Sequence, residues 1–344
     1  MLRNLLHDPI RPLLAAGDQA LAYFVRRDLC DEQVEPIEDA VWALPEAHRL
    51  LRRQRDDGSW TRPGKPRESW PPHRDALVET WKVLRVLVQQ YEMDRSHEAI
   101  ARAAEAVLGW QTAAGDIRGF IGNQYATYYT GALLGLLVDA GYEADPRVER
   151  GLRWLLAMRQ DDGGWSIPVL TRDVPANDPV AFTSPDAQPL EPDRTRPFSH
   201  HWTGMVLRAF AAHPRYRRAR EIQHAARLLA SRFFAEDAYG SYREADHWLR
   251  FQFPYWWNQL VAALDVVTRI DPPGVAEAVA GAAAWLRDHQ LESGLWRVSY
   301  SRRHRTAETE RARAEGRWVS LAVCRVLRRL DGGPRRRSPL TRSR

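Results

Sequence analysis

A short turn motif recurs along the chain, and it constrains the fold more than any other feature. It reads QRDDGSW at residues 54–60, QDDGGW at residues 160–165 and QLESGLW at residues 290–296. Each copy follows a segment whose apolar residues recur with helical spacing, so the repeated unit is a helix that ends in a turn. Gln160, Gly164 and Trp165 are therefore expected to clamp consecutive helical repeats together.

Two weaker copies complete the series. The first keeps Gln111 and Gly115 but has Ile117 in place of the tryptophan, and the second has Gly240 and Tyr242 but no glutamine. The glutamines at positions 54, 111, 160 and 290 are 57, 49 and 130 residues apart. The missing glutamine therefore falls where the fourth of five copies is expected.

A second, more apolar helical segment follows each turn after a loop of variable length. These segments begin near Asp75, Asn123, Ser199, Tyr255 and Arg317. Their broad apolar faces predict inner helices, whereas the single apolar stripe of the segments before the turns predicts outer helices. One further helix near residues 12–27 has no turn motif before it, which gives six inner and five outer helices. No segment has the alternation that predicts a strand.

Six inner helices inside a ring of outer helices predict an all-α fold, an (α/α)6-type toroid. Residues 1–333 are expected to form a single α/α-barrel domain, and residues 334–344 a basic, disordered tail. The inner helices begin with free backbone N–H groups, which can frame a pocket. We expect this mouth on the variable side of each repeat, opposite the turns, with the loop of residues 171–197 passing over it.

Composition and charge argue against several classes of protein. The net charge is +6, but five arginines lie in residues 334–344, and the rest of the chain carries +1, so no nucleic-acid partner is expected. No apolar stretch approaches the length of a membrane-spanning helix, and no signal peptide is recognised, which predicts a cytoplasmic protein. Cys30 and Cys324 are too few for a disulfide framework and have no zinc-ligand neighbours.

The turn motif also carries a family resemblance. The Gln-x(2–5)-Gly-x-Trp element resembles the QW repeat of squalene and oxidosqualene cyclases, which belong to the terpenoid cyclase and protein prenyltransferase superfamily. The resemblance covers nearly the whole chain, and QDDGGWSIP followed by HWTGMVLRAF is similar to a triterpene cyclase segment. It implies an α/α barrel with an aromatic-lined cavity, and a terpenoid cyclase-like activity of the isomerase or lyase class.

The catalytic motifs of that superfamily do not occur in this sequence. There is no Asp-x-Asp-Asp, and the aspartate pairs at residues 56–57 and 161–162 lack the third aspartate of Asp-Asp-x-x-Asp. Neither cysteine has the zinc-ligand neighbourhood of a protein prenyltransferase. The aspartate pairs are better explained as turn formers, because aspartate favours turns and the pairs recur at matching positions. The resemblance therefore implies the fold without a known catalytic motif.

Candidate site residues come chiefly from the starts of the inner helices. The candidate catalytic residues are His200, His201, Asp116 and Asp246, since histidine titrates near neutral pH and a carboxyl group can donate a proton. A helix-capping role is the alternative for the histidines, and core packing is the alternative for the aromatic residues. The candidate substrate-binding residues are Trp70, Tyr125, Tyr128, Tyr129, Trp202, Phe253, Tyr255, Trp256, Trp257 and, as an anion contact, Arg118.

These features predict a squalene/terpenoid cyclase-like protein that binds or cyclises an isoprenoid or another apolar polyene. Aromatic ring faces suit such chemistry because they stabilise developing positive charge. No cofactor or metal is expected, and peripheral contact with a membrane stays open. Two alternatives remain: a non-catalytic toroidal binding or scaffold protein, and a saccharide-acting α/α-toroid enzyme. The last would place two carboxylates about 5–10 Å apart.

Overall fold

The computed structural model describes residues 2, 4–62, 69–175, 178–239, 243–304, 306–307 and 309–332. The predicted turn residues Gly240 and Tyr242 and the tail of residues 334–344 lie outside the described residues. Within them the α-helices are α1 (Ile10–Leu14), α2 (Gln19–Leu29), α3 (Pro45–Leu51), α4 (Arg74–Leu84), α5 (Glu98–Gly109), α6 (Thr127–Asp139), α7 (Pro146–Ala157), α8 (Pro179–Thr183), α9 (His200–Ala212), α10 (Arg220–Ala230), α11 (Leu260–Ile270), α12 (Val275–Ala278), α13 (Ala280–Asp288) and α14 (Glu310–Leu330).

Shorter elements connect these helices. A π-helix at Glu38–Trp42 precedes α3, and α4 continues as a π-helix over Arg85–Gln90. Single 3₁₀ turns lie at Pro168–Arg172, Tyr216–Arg218 and Ala245–Leu249. The expectation of no strand is wrong at one place, because Phe120–Asn123 is extended. The backbone N–H of Asn123 there donates to the carbonyl of Ser184 at 3.0 Å.

The inner helices form a closed ring, which confirms the predicted toroid. α6 packs against α9, α9 against α11, α11 against α14, and α14 against α2. The π-helical continuation of α4 packs against α6. The ring closes between α2 and the end of this continuation, where Arg27 forms a two-pronged ion pair with Glu92 at 2.7 Å.

The first repeat differs from its prediction. The sequence predicted one helix near residues 12–27, but the structure has α1 and α2, separated by a turn at Gly17 with φ of +73°. The side chain of Asp18 then caps α2 by accepting a hydrogen bond of 3.0 Å from the N–H of Leu21. α1 thereby joins α3, α5, α7, α10 and α13 as a short sixth outer helix.

α6 is buried on all sides, since it packs against α9, α7 and the continuation of α4, and its glycines approach α9 closely. A Cβ atom at Gly131 would stand 2.6 Å from the Cα of Val206, and one at Gly135 would stand 3.1 Å from the N of Ala209. Only glycine at these positions lets the two backbones approach so closely. The apolar residues of α6 therefore cover its whole circumference rather than one stripe.

The turn glutamines Gln54, Gln111 and Gln290 fasten consecutive repeats together, as predicted. Gln160 differs, because its amide donates to the carbonyls of Asp193 and Arg196 in the loop of residues 171–197. The Nε2 group of Gln54 donates to the carbonyl of Gly58 in its own turn at 3.0 Å and to the carbonyl of Ala99 in the next outer helix at 2.7 Å. Gln111 repeats the second contact with the carbonyl of Arg147 at 2.9 Å. In these copies, and at Gln290, a single amide group thus satisfies a carbonyl of the turn and another in the following repeat.

Each turn tryptophan joins its outer helix to the following inner helix. The indole N–H of Trp60 donates to the carbonyl of Leu50, and its backbone N–H donates to the hydroxyl of Thr80, both at 2.9 Å. Trp165 and Trp296 make the same two contacts, each with the carbonyl ten residues before it and with a hydroxyl on the next inner helix. The tryptophan is therefore confirmed as a clamp in these three copies, but it holds the two helices of one repeat together rather than consecutive repeats.

Two details of the turn prediction are wrong. The residue with a left-handed backbone is Gly163 (φ +97°), which matches Gly58 (φ +81°), and not Gly164. The mouth also does not lie opposite the turns, because the N–H of Ser199 at the start of α9 donates to the carbonyl of Trp165 at 2.9 Å. An outer helix and its following inner helix are antiparallel, so the turn between them lies where the inner helix begins.

The loop of residues 171–197 lies at this same end. It rests on the segment before α6, where the amide of Gln124 donates to the carbonyl of Gln188 at 3.1 Å and accepts from the N–H of Leu190 at 2.9 Å. No helix in the described part of the chain has both the length and the apolar character that crossing a bilayer requires.

Candidate functional site

Residues 253–257, the sequence FPYWW, run into the barrel before α11 begins. The backbone N–H of Tyr255 donates to the side-chain oxygen of Gln89, deep along the continuation of α4, at 2.9 Å. The prediction that Tyr255 begins an inner helix is wrong. Gln259 caps α11 by accepting the first N–H groups of the helix, so the helix starts at Leu260 and the residues before it are irregular.

Two arginines satisfy the backbone of this buried segment. Arg85 donates to the carbonyl of Pro254 at 2.7 Å, and Arg208 donates to the carbonyls of residues 255–257 at 3.0, 3.2 and 2.7 Å. Burial lowers the pKa of Arg85 to about 9, with a smaller contribution from the like charge of Arg208. Burial likewise lowers the pKa of Arg208 to about 10. The axis of the barrel is thus occupied by the chain's own backbone, held by two buried guanidinium groups.

Aromatic side chains around this segment contact one another in a closed circuit. Six of its seven members were predicted as site residues, and the seventh, Trp81, was not. The circuit runs through Tyr129, Trp81, Trp256, Trp257, His201, Trp202 and Tyr128 at successive centroid separations of 4.8, 4.5, 5.5, 6.0, 4.4 and 4.5 Å, and closes from Tyr128 to Tyr129 at 4.3 Å.

One part of the aromatic circuit already holds a cation. The guanidinium carbon of Arg85 lies 5.1 Å from the ring centroid of Trp81 and 4.6 Å from that of Trp256. These ring faces therefore stabilise the resident positive charge of Arg85. Trp257, the next ring in the circuit, is partly exposed.

Four predicted aromatic residues lie outside the circuit. Trp70 stacks against the guanidinium group of Arg74, whose carbon lies 3.8 Å from the ring centroid. Tyr125 contacts the ring of an outer-helix tryptophan at 5.6 Å, and burial raises its pKa. Phe253 stacks on Trp318 at 6.1 Å. Because Tyr255 packs against Phe253 at 5.1 Å, it also lies outside the circuit.

The two predicted histidines are buried beside a carboxylate. The Nδ1 atom of His200 lies 3.3 Å from Asp237, which also accepts from the hydroxyl of Ser199 at 2.8 Å and from the backbone N–H of His201 at 3.0 Å. Burial lowers the pKa of His200 despite the opposing charge of Asp237, and it lowers the pKa of His201 well below its usual value. The side chain that caps α9 is Ser199, which accepts from the N–H of Trp202 at 3.1 Å.

Asp116 and Arg118 belong to a turn rather than to an open loop. Asp116 is fully buried and accepts from the hydroxyl of Thr112 and from Nε of Arg118, the latter at 2.6 Å. The next residue, Ile117, donates its backbone N–H to the hydroxyl of Thr130 at 3.1 Å, as the tryptophan does in the other copies. This turn is therefore held in the same way as the full copies, because the backbone contact does not need the indole.

A cavity of about 230 Å³ lies at the end of the barrel where α11 begins. Trp257 belongs both to its wall and to the aromatic circuit. The residue Asp246 lies next to the wall, where its carboxylate accepts from the hydroxyl of Ser301. The lining consists of His247, Arg250, Phe251, Gln252, Trp257, Asn258, Gln259, Val298, Ser299, Thr306 and Glu315.

Glu315 supplies the one carboxyl group among the described residues that line the cavity. It lies on α14 and is partly buried. Burial raises its pKa, although the positive charges of Arg311 and Arg85 oppose the rise. A carboxyl group with a raised pKa keeps its proton to higher pH and can act as an acid. Elsewhere in the described ranges no three His, Cys, Asp or Glu side chains are grouped closely enough to hold a metal ion.

Sequence reasoning missed Glu315, Arg85, Arg208 and Asp237. The two arginines had a detectable signal, because each stands alone within a strongly apolar inner helix, in VLRVLV and MVLRAF. A charged residue in such a helix is either paired or functional. Nothing in the sequence distinguished Glu315, since it lies in the charge-rich stretch RARAEGR, where a carboxylate is expected to be solvent-exposed.

In comparisons with known proteins, the chain is similar to solved structures but matches no family model and no curated protein. A crystal structure of a protein from Actinoplanes is 18% identical, with 94% of this chain and 88% of that chain covered and a TM-score of 0.46. The type II terpene cyclase MstE from Scytonema is 13% identical, with 92% and 98% covered and a TM-score of 0.38.

The match to ent-copalyl diphosphate synthase from Streptomyces platensis covers 93% of this chain but 51% of the synthase, at 14% identity and a TM-score of 0.44. The chain thus spans about half the length of that enzyme. At these sequence identities and TM-scores, the activities named for these proteins are not transferred to this chain. The toroid rests instead on the helix ring and turn contacts described above.

Proposed function

We propose that this protein is a terpenoid cyclase-like toroid that binds one end of an isoprenoid or similar apolar polyene and protonates it. The supporting observation is the cavity where α11 begins, which places Phe251 and Trp257 beside Glu315, the one carboxyl group among the described residues of its wall. Trp257 continues this wall into the aromatic circuit, and Glu315 is the proton donor. The raised pKa of Glu315 supports this role, because a proton held at higher pH is available for transfer.

The size of the cavity limits what it can accept. Pockets that enclose drug-sized ligands usually measure about 300–1,000 Å³, and this cavity measures about 230 Å³. The axis of the barrel beyond it is filled by residues 253–257. A long polyene would therefore place one terminal unit against Phe251, Trp257 and Val298 and leave the rest of its chain outside the cavity.

The proposed step is proton transfer without a metal or cofactor. The O–H bond of Glu315 breaks, its proton forms a C–H bond at one alkene carbon with the π electrons, and its electron pair remains on the carboxylate. The ring face of Trp257 stabilises the carbocation at the other carbon. Loss of a proton from a neighbouring carbon to the carboxylate then restores the acid and gives an isomeric alkene.

Deuterium incorporation from heavy water tests this step directly. Squalene and geranylgeraniol are incubated with the protein in heavy water and recovered for mass spectrometry. The isomerised product should carry one deuterium per turnover, because the carboxyl proton exchanges with solvent. Glu315→Gln should abolish incorporation. Glu310→Gln, an exposed position on the same helix, should leave it unchanged.

A non-catalytic scaffold is the second candidate, because residues 253–257 fill the barrel axis. The two candidates differ in outcome. If neither polyene binds and neither gains deuterium, the scaffold function stands and the proposed enzyme is rejected. A saccharide-acting enzyme is less favoured, since the described cavity lining has one carboxyl group where two would be needed.

A further inference from the structure

The barrel axis contains two buried positive charges without carboxylate partners. Arg85 is 6% exposed and Arg208 is 7% exposed. Every hydrogen bond that these guanidinium groups make within the described residues goes to a backbone carbonyl of residues 254–257. Buried charges in proteins are normally paired with an opposite charge, since carbonyl groups do not neutralise them.

Three hydrogen-bond donors at this place are also unused. The Nε groups of Arg85 and Arg208 and the indole N–H of Trp256 are buried and have no partner. Leaving a buried donor unsatisfied is costly, so such groups usually contact a ligand or an ordered water. The three donors lie around the same segment of backbone. Both arginines bind residues 254–257, and the guanidinium carbon of Arg85 lies 4.6 Å from the ring centroid of Trp256.

The acidic groups near Arg85 and Arg208 do not pair with these two positive charges. The acidic groups that influence Arg85 are Tyr129 and Glu315, and those that influence Arg208 are Tyr255 and Asp265. None of these four accepts a hydrogen bond from either guanidinium group. Burial raises the pKa of Tyr255 and also that of Glu315, so both hold their protons more firmly than usual.

We propose that Arg85, Arg208 and Trp256 form a binding site for a single oxyanion, the carboxylate or phosphate group of an amphiphilic ligand. Charge-assisted hydrogen bonds from guanidinium groups suit both kinds of oxyanion. Trp256 and Trp257 are partly exposed, so the segment reaches solvent at these two residues. Trp257 also lines the cavity, so the apolar part of the ligand would lie along these rings.

This inference does not depend on the proposed proton transfer. The oxyanion site uses the arginines of α9 and of the continuation of α4, whereas the proton transfer uses Glu315 on α14. A toroid that only binds its ligand would still contain the oxyanion site. Failure of the deuterium experiment and failure of the binding experiment below are therefore separate results.

Calorimetric titration of the full chain tests the site with three probes that share one alkyl chain. These are decanoate, decyl phosphate and the neutral control decanol, each kept below the concentration at which it aggregates. At least one oxyanion should bind about tenfold or more tightly than decanol, because it gains charge-assisted hydrogen bonds that the alcohol cannot make as strongly. The tighter of the two oxyanions identifies the head group.

Two variants test whether the preference for an oxyanion over decanol depends on Arg85 and Trp256. Arg85→Gln removes one charge and should abolish the oxyanion preference. Trp256→Phe keeps the ring but removes its N–H, and should weaken oxyanion binding several-fold without changing decanol binding. This second variant keeps the test decisive if Arg85→Gln does not fold. Trp110→Phe, on an outer helix, is the matched control and should bind all three probes as the unmodified protein does.

The proposal is overturned if decanol binds as tightly as both oxyanions, or if none of the probes binds. It is also overturned if the oxyanion preference survives unchanged in both variants. In those cases the unused donors contact only water, and the two arginines serve the backbone of residues 254–257 alone.

Discussion

The guanidinium group of Arg85 donates a hydrogen bond of 2.7 Å to the carbonyl of Pro254, 169 positions further along the chain. This contact crosses the interior of the helix ring and ties the continuation of α4 to the segment before α11. Arg208 holds the next three carbonyls from α9. Three inner helices are therefore joined through one irregular segment. The backbone carbonyls of this segment have no partners in a helix or a sheet, so the arginine side chains supply their hydrogen bonds.

Replacing Arg208 with methionine should destabilise the protein strongly. Arg208→Met removes the donors for three buried carbonyls at once, so the free energy of unfolding should fall by about 3–5 kcal/mol. Denaturant unfolding followed by tryptophan fluorescence measures this change. Arg153→Met is the control, because that side chain is 71% exposed in a surface ion pair. It should cost less than about 0.5 kcal/mol. Equal effects of the two substitutions would contradict the role assigned to Arg208.

The turns could be predicted from sequence because their chemistry is local and recurs. The glycine and the tryptophan keep the same spacing, and the tryptophan donates to matching carbonyl and hydroxyl groups in every full copy, as the contacts of Trp60 show. The contacts of Gln54 recur at Gln290 but not at Gln160. The end of the barrel that they occupy was predicted wrongly, since it follows from the antiparallel packing of neighbouring helices. Gly163 and Gly164 were confused because adjacent glycines look alike without a backbone angle.

The last turn joins the outer layer of helices to the N-terminal residues and so closes that layer, and its glutamine is the place to test this closure. The side chain of Gln290 accepts from the backbone N–H groups of Leu6 and His7, both at 3.1 Å, and donates to the carbonyls of His7 and Gly294 at 2.8 and 2.9 Å. Gln290→Ala loses all four hydrogen bonds. The free energy of unfolding should therefore fall by about 2–4 kcal/mol.

Hydrogen exchange at the amides of Leu6 and His7 gives a second measurement for the same variant. Both amides should lose protection, because Gln290 is their acceptor. Gln19→Ala, at an exposed position at the start of α2, should change neither stability nor exchange at these amides by a comparable amount. Unchanged protection in Gln290→Ala would show that this glutamine does not close the outer layer.

The candidate site could be predicted only in part. Aromatic residues near the inner-helix starts were recognised by type, and six of them, counting His201, do meet around the axis. Their partner Trp81 was missed because one tryptophan among apolar residues on α4 reads as core. Residues 255–257 were assigned to a helix because their apolar character is equally compatible with a helix and with an irregular segment. The cap at Gln259, which marks the true start of the helix, has no distinctive sequence pattern. Glu315 became significant only through burial, which a sequence does not show.

The buried histidines should make the protein less stable in mild acid. In the folded state the pKa of His201 lies well below the ordinary value of 6.5, and that of His200 is also lowered. As the pH falls from about 7 toward about 5, the unfolded chain therefore binds protons that the folded chain does not, and the free energy of unfolding decreases. His201→Gln should make this decrease shallower, whereas the exposed His48→Gln should not. Denaturant unfolding at three pH values in this range measures the slopes, and identical slopes in all three proteins would contradict the assignment.

The pH dependence of deuterium incorporation tests whether Glu315 is the acid. Burial raises the pKa of this carboxyl group in the folded protein, so its protonated form persists above the usual value for glutamate, about 4.3. Incorporation should be greatest below the raised pKa and should decline as the pH rises through it, because the fraction of protonated Glu315 then falls. Glu315→Asp retains a carboxyl group on a shorter side chain and should keep a similar decline at a lower rate, whereas Glu315→Gln should show no incorporation at any pH. A rate that rose with pH, or a decline that persisted unchanged in Glu315→Gln, would assign the proton transfer to another group.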